Sequence, residues 1–309
     1  MKGGERMAAP NNELAAPDVG FAAATRPGGP ALPSRPVRFL IVFAVVVAWW
    51  LLGSALHLTI PEYLLLGVPI LIGFQLWVQR EPLYRLWVRS GPPPRLDRWL
   101  VVLWILFSLF PAYAAARELM RMQLATAAEY SVAILGAFGL AYALRSMQAR
   151  TWGYLGLCVL TITILGVLPT LLSVLLPHVI HIHSPHPVTA GHPSLLQSAE
   201  IGAQWFLLMP VGFVVEEVFF RGAMDTFLHR GEAGTGWLSA VFVSALWGLW
   251  HVSLGAHLLS KIVSDVAAQI IIGVPLSLWW RKSGNLVVND SAHAVLEAVR
   301  NAVAGAGVF

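Results

Sequence analysis

Long apolar runs separated by short polar connectors dominate this chain. A helix crossing a hydrocarbon core of about 30 Å needs about 20 apolar residues. Runs of that kind lie near 39–58, 62–79, 99–116, 127–144, 152–177, 200–229, 237–256, 262–280 and 285–303. The last two are the more polar: 262–280 carries Asp265 and Gln269, and 285–303 carries Asp290, His293, Glu297 and Arg300. No alternating strand pattern competes, which argues against a β-barrel. The pattern predicts an all-α, polytopic transmembrane helix bundle of about 8–9 spans. Residues 1–37 are rich in Ala, Pro and Gly and contain no apolar run. They are expected to form a disordered cytoplasmic tail, and they lack the apolar core of a secretory signal. About five spans follow in 38–199, and 200–309 forms a third segment.

Composition narrows the class. Of 309 residues, 57% are hydrophobic and 12% charged, with 13 Trp. Soluble domains carry roughly 25% charged residues, and Trp favours membrane–water interfaces. An ordinary soluble enzyme is therefore excluded. So is a disulfide scaffold, because Cys158 is the single cysteine. Cys158 lies in an apolar run and is read as a small buried hydrophobe.

The basic residues orient the spans. With the tail in the cytoplasm, 16 of the 20 Lys and Arg fall on the inner side. Arg117, Arg121, Lys261 and Arg300 fall on the other. This is the positive-inside bias of a membrane protein, and it accounts for the pI of 9.5 without a nucleic-acid partner. The 80–98 segment, with Pro92, Pro93 and Pro94, is expected to be a short basic connector. The loop after the fifth run holds His178, His181, His183, His186 and His192. It is read as a solvated loop, with metal binding or pH sensing as the alternative.

The remaining charges sit inside apolar runs, where they are expensive and mark function. Glu216 and Glu217 occupy the middle of the sixth run, with Arg221 after them. Glu217 and Arg221 are four apart and can pair on one helix face. Glu216 is rotated by about 100° and must find a neighbour elsewhere. A poorly solvated carboxylate of this kind suits general-base chemistry. The turn to the seventh run centres near Gly231–Gly236. Glu216 lies about 17 residues before that centre and His251 about 18 after it, so an antiparallel hairpin sets them at similar depth. In the last run His293 and Glu297 are four apart, with Asp290 near the same face.

Together these residues resemble the CPBP family, which comprises type II CAAX prenyl endopeptidases, bacteriocin-processing proteins and abortive-infection membrane proteins. Glu216-Glu217-x-x-x-Arg221 matches its EExxxR motif, extended by Gly222. Trp247-x-x-x-His251 resembles FxxxH, with Trp in place of Phe. His293 stands where the third motif places its His. The resemblance covers about residues 200–303, so 200–309 is expected to be the set of CPBP-like catalytic helices. In one departure, the third motif ends on Glu297 where the family has Asn or Asp.

The resemblance implies peptide-bond hydrolysis within the membrane, on a membrane-associated or lipidated protein or peptide. Glu216 and His251 would activate water. His293 would stabilise the oxyanion, assisted by Glu297 if protonated, because an ionised Glu297 would repel that charge. Glu217, Arg221 and Trp247 would complete and orient the site. No cofactor is required by this reading. Zinc is the one candidate, and Glu216, His251 and His293 would be its ligands. The expected partners are membrane lipids and the protein or peptide substrate. The expected location is the cell membrane, best matched by a bacterial inner membrane. A non-catalytic scaffold or self-immunity protein is the alternative function, and a proton-coupled transporter a more distant one.

Overall fold

The computed structural model describes residues 33–175, 194–207, 209, 212–230, 234–252 and 258–304. The histidine loop (His178, His181, His183, His186 and His192) and most of the N-terminal tail lie outside the described residues. Among the described residues the fold is all-helical, with no strand beyond one isolated bridge between Val88 and Asn285.

Helix α1 (Arg35–Ala55) turns into α2 (Ile60–Gly73), which opens with a capping box. There the Thr59 backbone N–H and hydroxyl donate to Glu62 Oε2 at 2.8 and 2.7 Å. Helix α2 runs on into a π-helical turn, Phe74–Val78, and a short 3₁₀ turn follows at Leu83–Leu86. Next comes the hairpin of α3 (Arg98–Met120) and α4 (Leu124–Arg145). Asp97 caps α3 by accepting from Leu100 N–H at 2.8 Å. That bond, with Arg145 nearby, holds the Asp97 carboxyl below the usual carboxylate range. Helices α5 (Ala149–Leu175) and α6 (Leu195–Leu207) come next. Helix α7 (Gly212–Glu217) passes without a break into a π-helix, Val218–Asp225, and then α8 (Thr226–His229). The chain closes with α9 (Trp237–His251), α10 (Leu258–Ser283) and α11 (Val287–Ala304).

Six of these helices are long and apolar enough to cross a membrane: α1, α2 with its π turn, α3, α4, α5 and α10. The expectation of about 8–9 spans is therefore met only in part. Within the predicted run 200–229 the described helices are α6, to Leu207, and α7, from Gly212, and Met209 N–H turns back to Phe206 O at 3.1 Å. The 15 residues of α9 reach about 22 Å, short of the hydrocarbon thickness. Helix α11 is long enough, but its ionisable residues make it too polar to qualify. Helix α10, read as one of the weaker runs, does qualify.

A single hydrophobic cluster joins the early helices to the late ones, from Val42 and Trp49 of α1 to Leu296 of α11. Cys158 is fully buried within it, as its apolar run suggested. Helix α11 packs against α5 and α6, and α9 against α10. Gly248 permits the second contact, since a Cβ there would lie 2.5 Å from the Val266 Cα.

The segments assigned to one side by their basic residues meet at one end of the bundle. Arg38 donates to the carbonyls of Phe227, Leu228 and Arg230. Arg230 pairs with Glu81 at 3.0 Å. The 80–98 segment is more than a connector. Arg89 N–H donates to Gly284 O and Leu286 N–H to Trp87 O, both at 2.9 Å. Tyr142 donates to Pro92 O at 2.5 Å. Several of these orientation charges are thus also packing elements, as the burial of Arg38 and Arg281 attests.

Candidate active site

The two adjacent glutamates take different environments. Glu216 faces α9: Trp247 Nε1–H donates to its Oε2 at 2.9 Å, and His251 Nε2 lies 3.5 Å from the same oxygen. The equal-depth expectation for Glu216 and His251 is thus realised as direct proximity. His251 Nδ1 lies 2.9 Å from Trp247 O. A carbonyl only accepts, so Nδ1 carries a proton, and Nε2 is the ring nitrogen turned toward Glu216. The His251 side chain is 32% exposed and that of Glu216 13%. This pair is the more exposed part of the site.

Glu217 faces inward and is fully buried, as is Arg221. Its Oε2 is 3.5 Å from Arg221 Nε, the pair predicted from their spacing of four. Its Oε1 accepts from His293 Nδ1 at 3.1 Å, a contact that the sequence reading did not anticipate. Trp247 links the two halves of the site. Its ring packs edge-on against His251 at 5.6 Å and His293 at 5.4 Å, and the Arg221 guanidinium sits over it at 4.1 Å. This cation–π contact neutralises part of a charge that has no water around it.

The π-helix carries the inward half of this arrangement. All eight of its residues are buried, Arg221 and Asp225 included. Segments with i→i+5 bonding are rare and cluster at functional sites, because the widened turn re-aims side chains. Gly222 allows the π-helix to lie against the 3₁₀ turn: a Cβ there would meet Leu86 O at 2.6 Å. Aromatic packing fixes the outer half. Trp49 contacts Phe219 at 4.7 Å and Trp250 at 5.2 Å, and Tyr63 stacks on Trp250 at 5.1 Å. Trp50 Nε1–H donates to Val252 O at 2.6 Å, just past the end of the helix that bears His251. The first two helices therefore hold the site's wall.

Glu297 points elsewhere. Its Oε2 accepts from Arg300 Nη2 at 2.5 Å and from Asn301 Nδ2 at 3.0 Å. These are contacts within its own helix, made to a cation and an amide. They are the contacts of an acceptor at Oε2.

Among the described residues no group of three or more His, Cys, Asp or Glu side chains is placed to hold a metal. Of the three ligands considered, Glu216 and His251 are close, whereas His293 directs Nδ1 to Glu217.

The sequence reading missed a buried clamp beside the site. Asp225 accepts from Arg281 Nε at 2.9 Å and Nη2 at 2.5 Å, a bidentate fork with 0% exposure at Asp225 and 5% at Arg281. Arg281 Nη1 donates to Thr235 O and Gly236 O at 2.6 and 2.8 Å. The clamp ties the end of the π-helix to α10 and to the turn that launches α9. Asp225 lies two turns beyond Glu217 in an apolar run, a signal that could have drawn notice.

Residues 198–299 match the family model described as Rce1-like, type II CAAX prenyl endopeptidase. The matched segment is roughly a third of the chain and holds Glu216, Glu217, Arg221, Trp247, His251, His293 and Glu297. It agrees with the family resemblance carried by the motifs. The family is one of membrane proteases of the CAAX type. Comparison with curated proteins and with solved structures gives no match.

Proposed function

We propose that this chain is an intramembrane endopeptidase, hydrolysing a peptide bond of a membrane-associated or lipidated protein or peptide. The observation that carries the reading is the Glu216–His251 pair, 3.5 Å apart and partly exposed, inside the segment that matches the protease family. Glu216 takes a proton from a water bound between carboxylate and imidazole. The resulting hydroxide attacks the scissile carbonyl carbon. His251, held by Trp247 O, assists through Nε2, and the leaving amine takes up the proton from Glu216 as the bond breaks. His293 stabilises the tetrahedral oxyanion, a role worth several kcal/mol in a dry site. Glu217 and Arg221 hold His293 and Trp247 in register. Glu297 is assigned to anchoring α11 through Arg300 and Asn301. No step is routed through a metal.

The setting follows from the same reading. Helices α6 to α9 and α11 enter the bilayer with the six long helices, giving about 8–9 passages. The end bearing Arg38, Arg89, Arg230 and Arg281 faces the cytoplasm, together with the N-terminus. The cell membrane, in a bacterium the inner one, is the location. Lipids and the substrate protein are the partners.

The test compares Glu216→Gln and His251→Ala with wild type in cleavage of membrane proteins reconstituted with the purified chain. Each variant should fold and lose at least ~10²-fold in kcat. Retention of cleavage by both would remove hydrolysis at this pair as the explanation.

A further inference from the structure

Asp290 has no role in the mechanism above, yet it is 0% exposed. Both of its carboxylate oxygens lack a hydrogen-bond donor, and so does Glu217 Oε2. The charged group that acts on Asp290 is Glu217, the last residue of α7, which His293, one turn after Asp290 on α11, reaches at 3.1 Å. Arg221 and His293 both act on Glu217, as Glu217 and Arg221 do on Cys158 of α5. Glu217 thus already has the ion pair and the imidazole donor that a buried carboxylate needs. Asp290 has neither. An ionised carboxylate in such a place would be an unpaired buried charge beside a like charge, a cost of many kcal/mol that proteins avoid by neutralising the group.

We infer that Asp290 is a neutral carboxylic acid, a positioning residue whose proton keeps the buried Glu217–His293–Arg221 cluster at a single negative carboxylate. One proton on Asp290 leaves Arg221 and Glu217 balanced and lets His293 keep its Nδ1–H on Glu217. Loss of that proton would set two carboxylates side by side with one arginine. His293 would then be drawn toward the second charge and away from its present orientation. The site therefore contains an acid whose deprotonation disassembles it. The inference concerns the same site as the proposed function, but its primary readout is stability and needs no substrate.

The sign follows from linkage. A group that must be protonated in the fold but ionises freely in the unfolded chain stabilises the native state less as pH rises. Asp290→Asn replaces the acid with a neutral isostere that has no proton to lose. The thermal midpoints of the full chain and of Asp290→Asn are compared in micelles from pH 4 to pH 9. They should be similar at the acid end, and the Asp290→Asn variant should become the more stable form by several degrees toward the alkaline end. In the cleavage assay, which does rest on the protease reading, the alkaline limb of the pH profile should move upward in the variant. A lower midpoint for Asp290→Asn at every pH would mean that Asp290 is charged and paired, and would overturn the inference. Parallel midpoint curves would do the same. If Asp290→Asn does not fold, infrared spectra of wild type carrying labelled aspartate decide the matter: a protonated carboxyl band at neutral pH upholds the inference, and its absence overturns it.

Discussion

Asp225→Ala is the sharpest test of how the site is held. Asp225 and Arg281 form a bidentate pair with 0% and 5% of their side chains exposed. Among the described residues, the Ala variant leaves the guanidinium in place with neutral acceptors: the carbonyls of Thr235 and Gly236 and the hydroxyl of Ser239. Removing one partner of a buried pair costs about 3–5 kcal/mol, mostly because the survivor is left uncompensated. Asp225 also moderates a basic cluster. Burial, with Arg281 and Arg230 nearby, lowers the Arg89 guanidinium to about 10, and Asp225 opposes that shift. The upper half of the range is therefore expected. At about 2–4 °C per kcal/mol for a chain of this order of size, the melting point should fall by roughly 10–20 °C. The assay is thermal unfolding in micelles, followed by tryptophan fluorescence. The double variant Asp225→Leu/Arg281→Met, which removes both charges and keeps volume, should recover more than half of the loss. A cost below about 1 kcal/mol for Asp225→Ala would refute the reasoning, since it would mean that the pair is solvated. A double variant no better than the single one would show that shape, not charge, fixes this corner.

Three further outcomes follow from the geometry. Gly222→Ala should destabilise by about 1–3 kcal/mol, because its Cβ would meet Leu86 O at 2.6 Å and backbone must move; a neutral effect on unfolding would refute the close contact. Glu297→Gln should keep cleavage within a few-fold of wild type, since Glu297 accepts from Arg300 and Asn301 and a glutamine oxygen can still accept; a loss as large as that of Glu216→Gln would return Glu297 to the chemistry. Chelation should leave cleavage unchanged, with no stoichiometric zinc in the purified chain by elemental analysis; loss of metal and activity together would reverse this reading.

Parts of the site were legible along the chain for simple reasons. Glu217 and Arg221 are four apart, and any helix brings such residues together. Glu216 and His251 are nearly equidistant from one turn, and two antiparallel helices rise equally from it. Their mutual facing was not legible, because rotation about each helix axis depends on what packs behind it. Trp49, Tyr63 and Trp250 supply that backing from the first hairpin and α9. The contact between Glu217 and His293 spans 76 residues. No local spacing encodes it.

By itself, the sequence determined the solvent and the class of fold. Its apolar runs are too long and too poor in charge for water, and backbone groups in a bilayer must be satisfied within helices. It also determined which few residues to watch, because an ionisable group in an apolar run is costly enough to need a reason. Tertiary structure alone decided how those groups divide: Glu216 outward to Trp247 and His251, Glu217 inward to Arg221 and His293, Glu297 aside to Arg300, and Asp290 alone beside Glu217. It also decided that the later part of 200–229 widens into a π-helix. The physical reason is the same in each case. Helix periodicity sets where a side chain leaves its own axis, but burial and hydrogen-bond partners come from other helices, distant in sequence, and those set what charge and direction the group can keep.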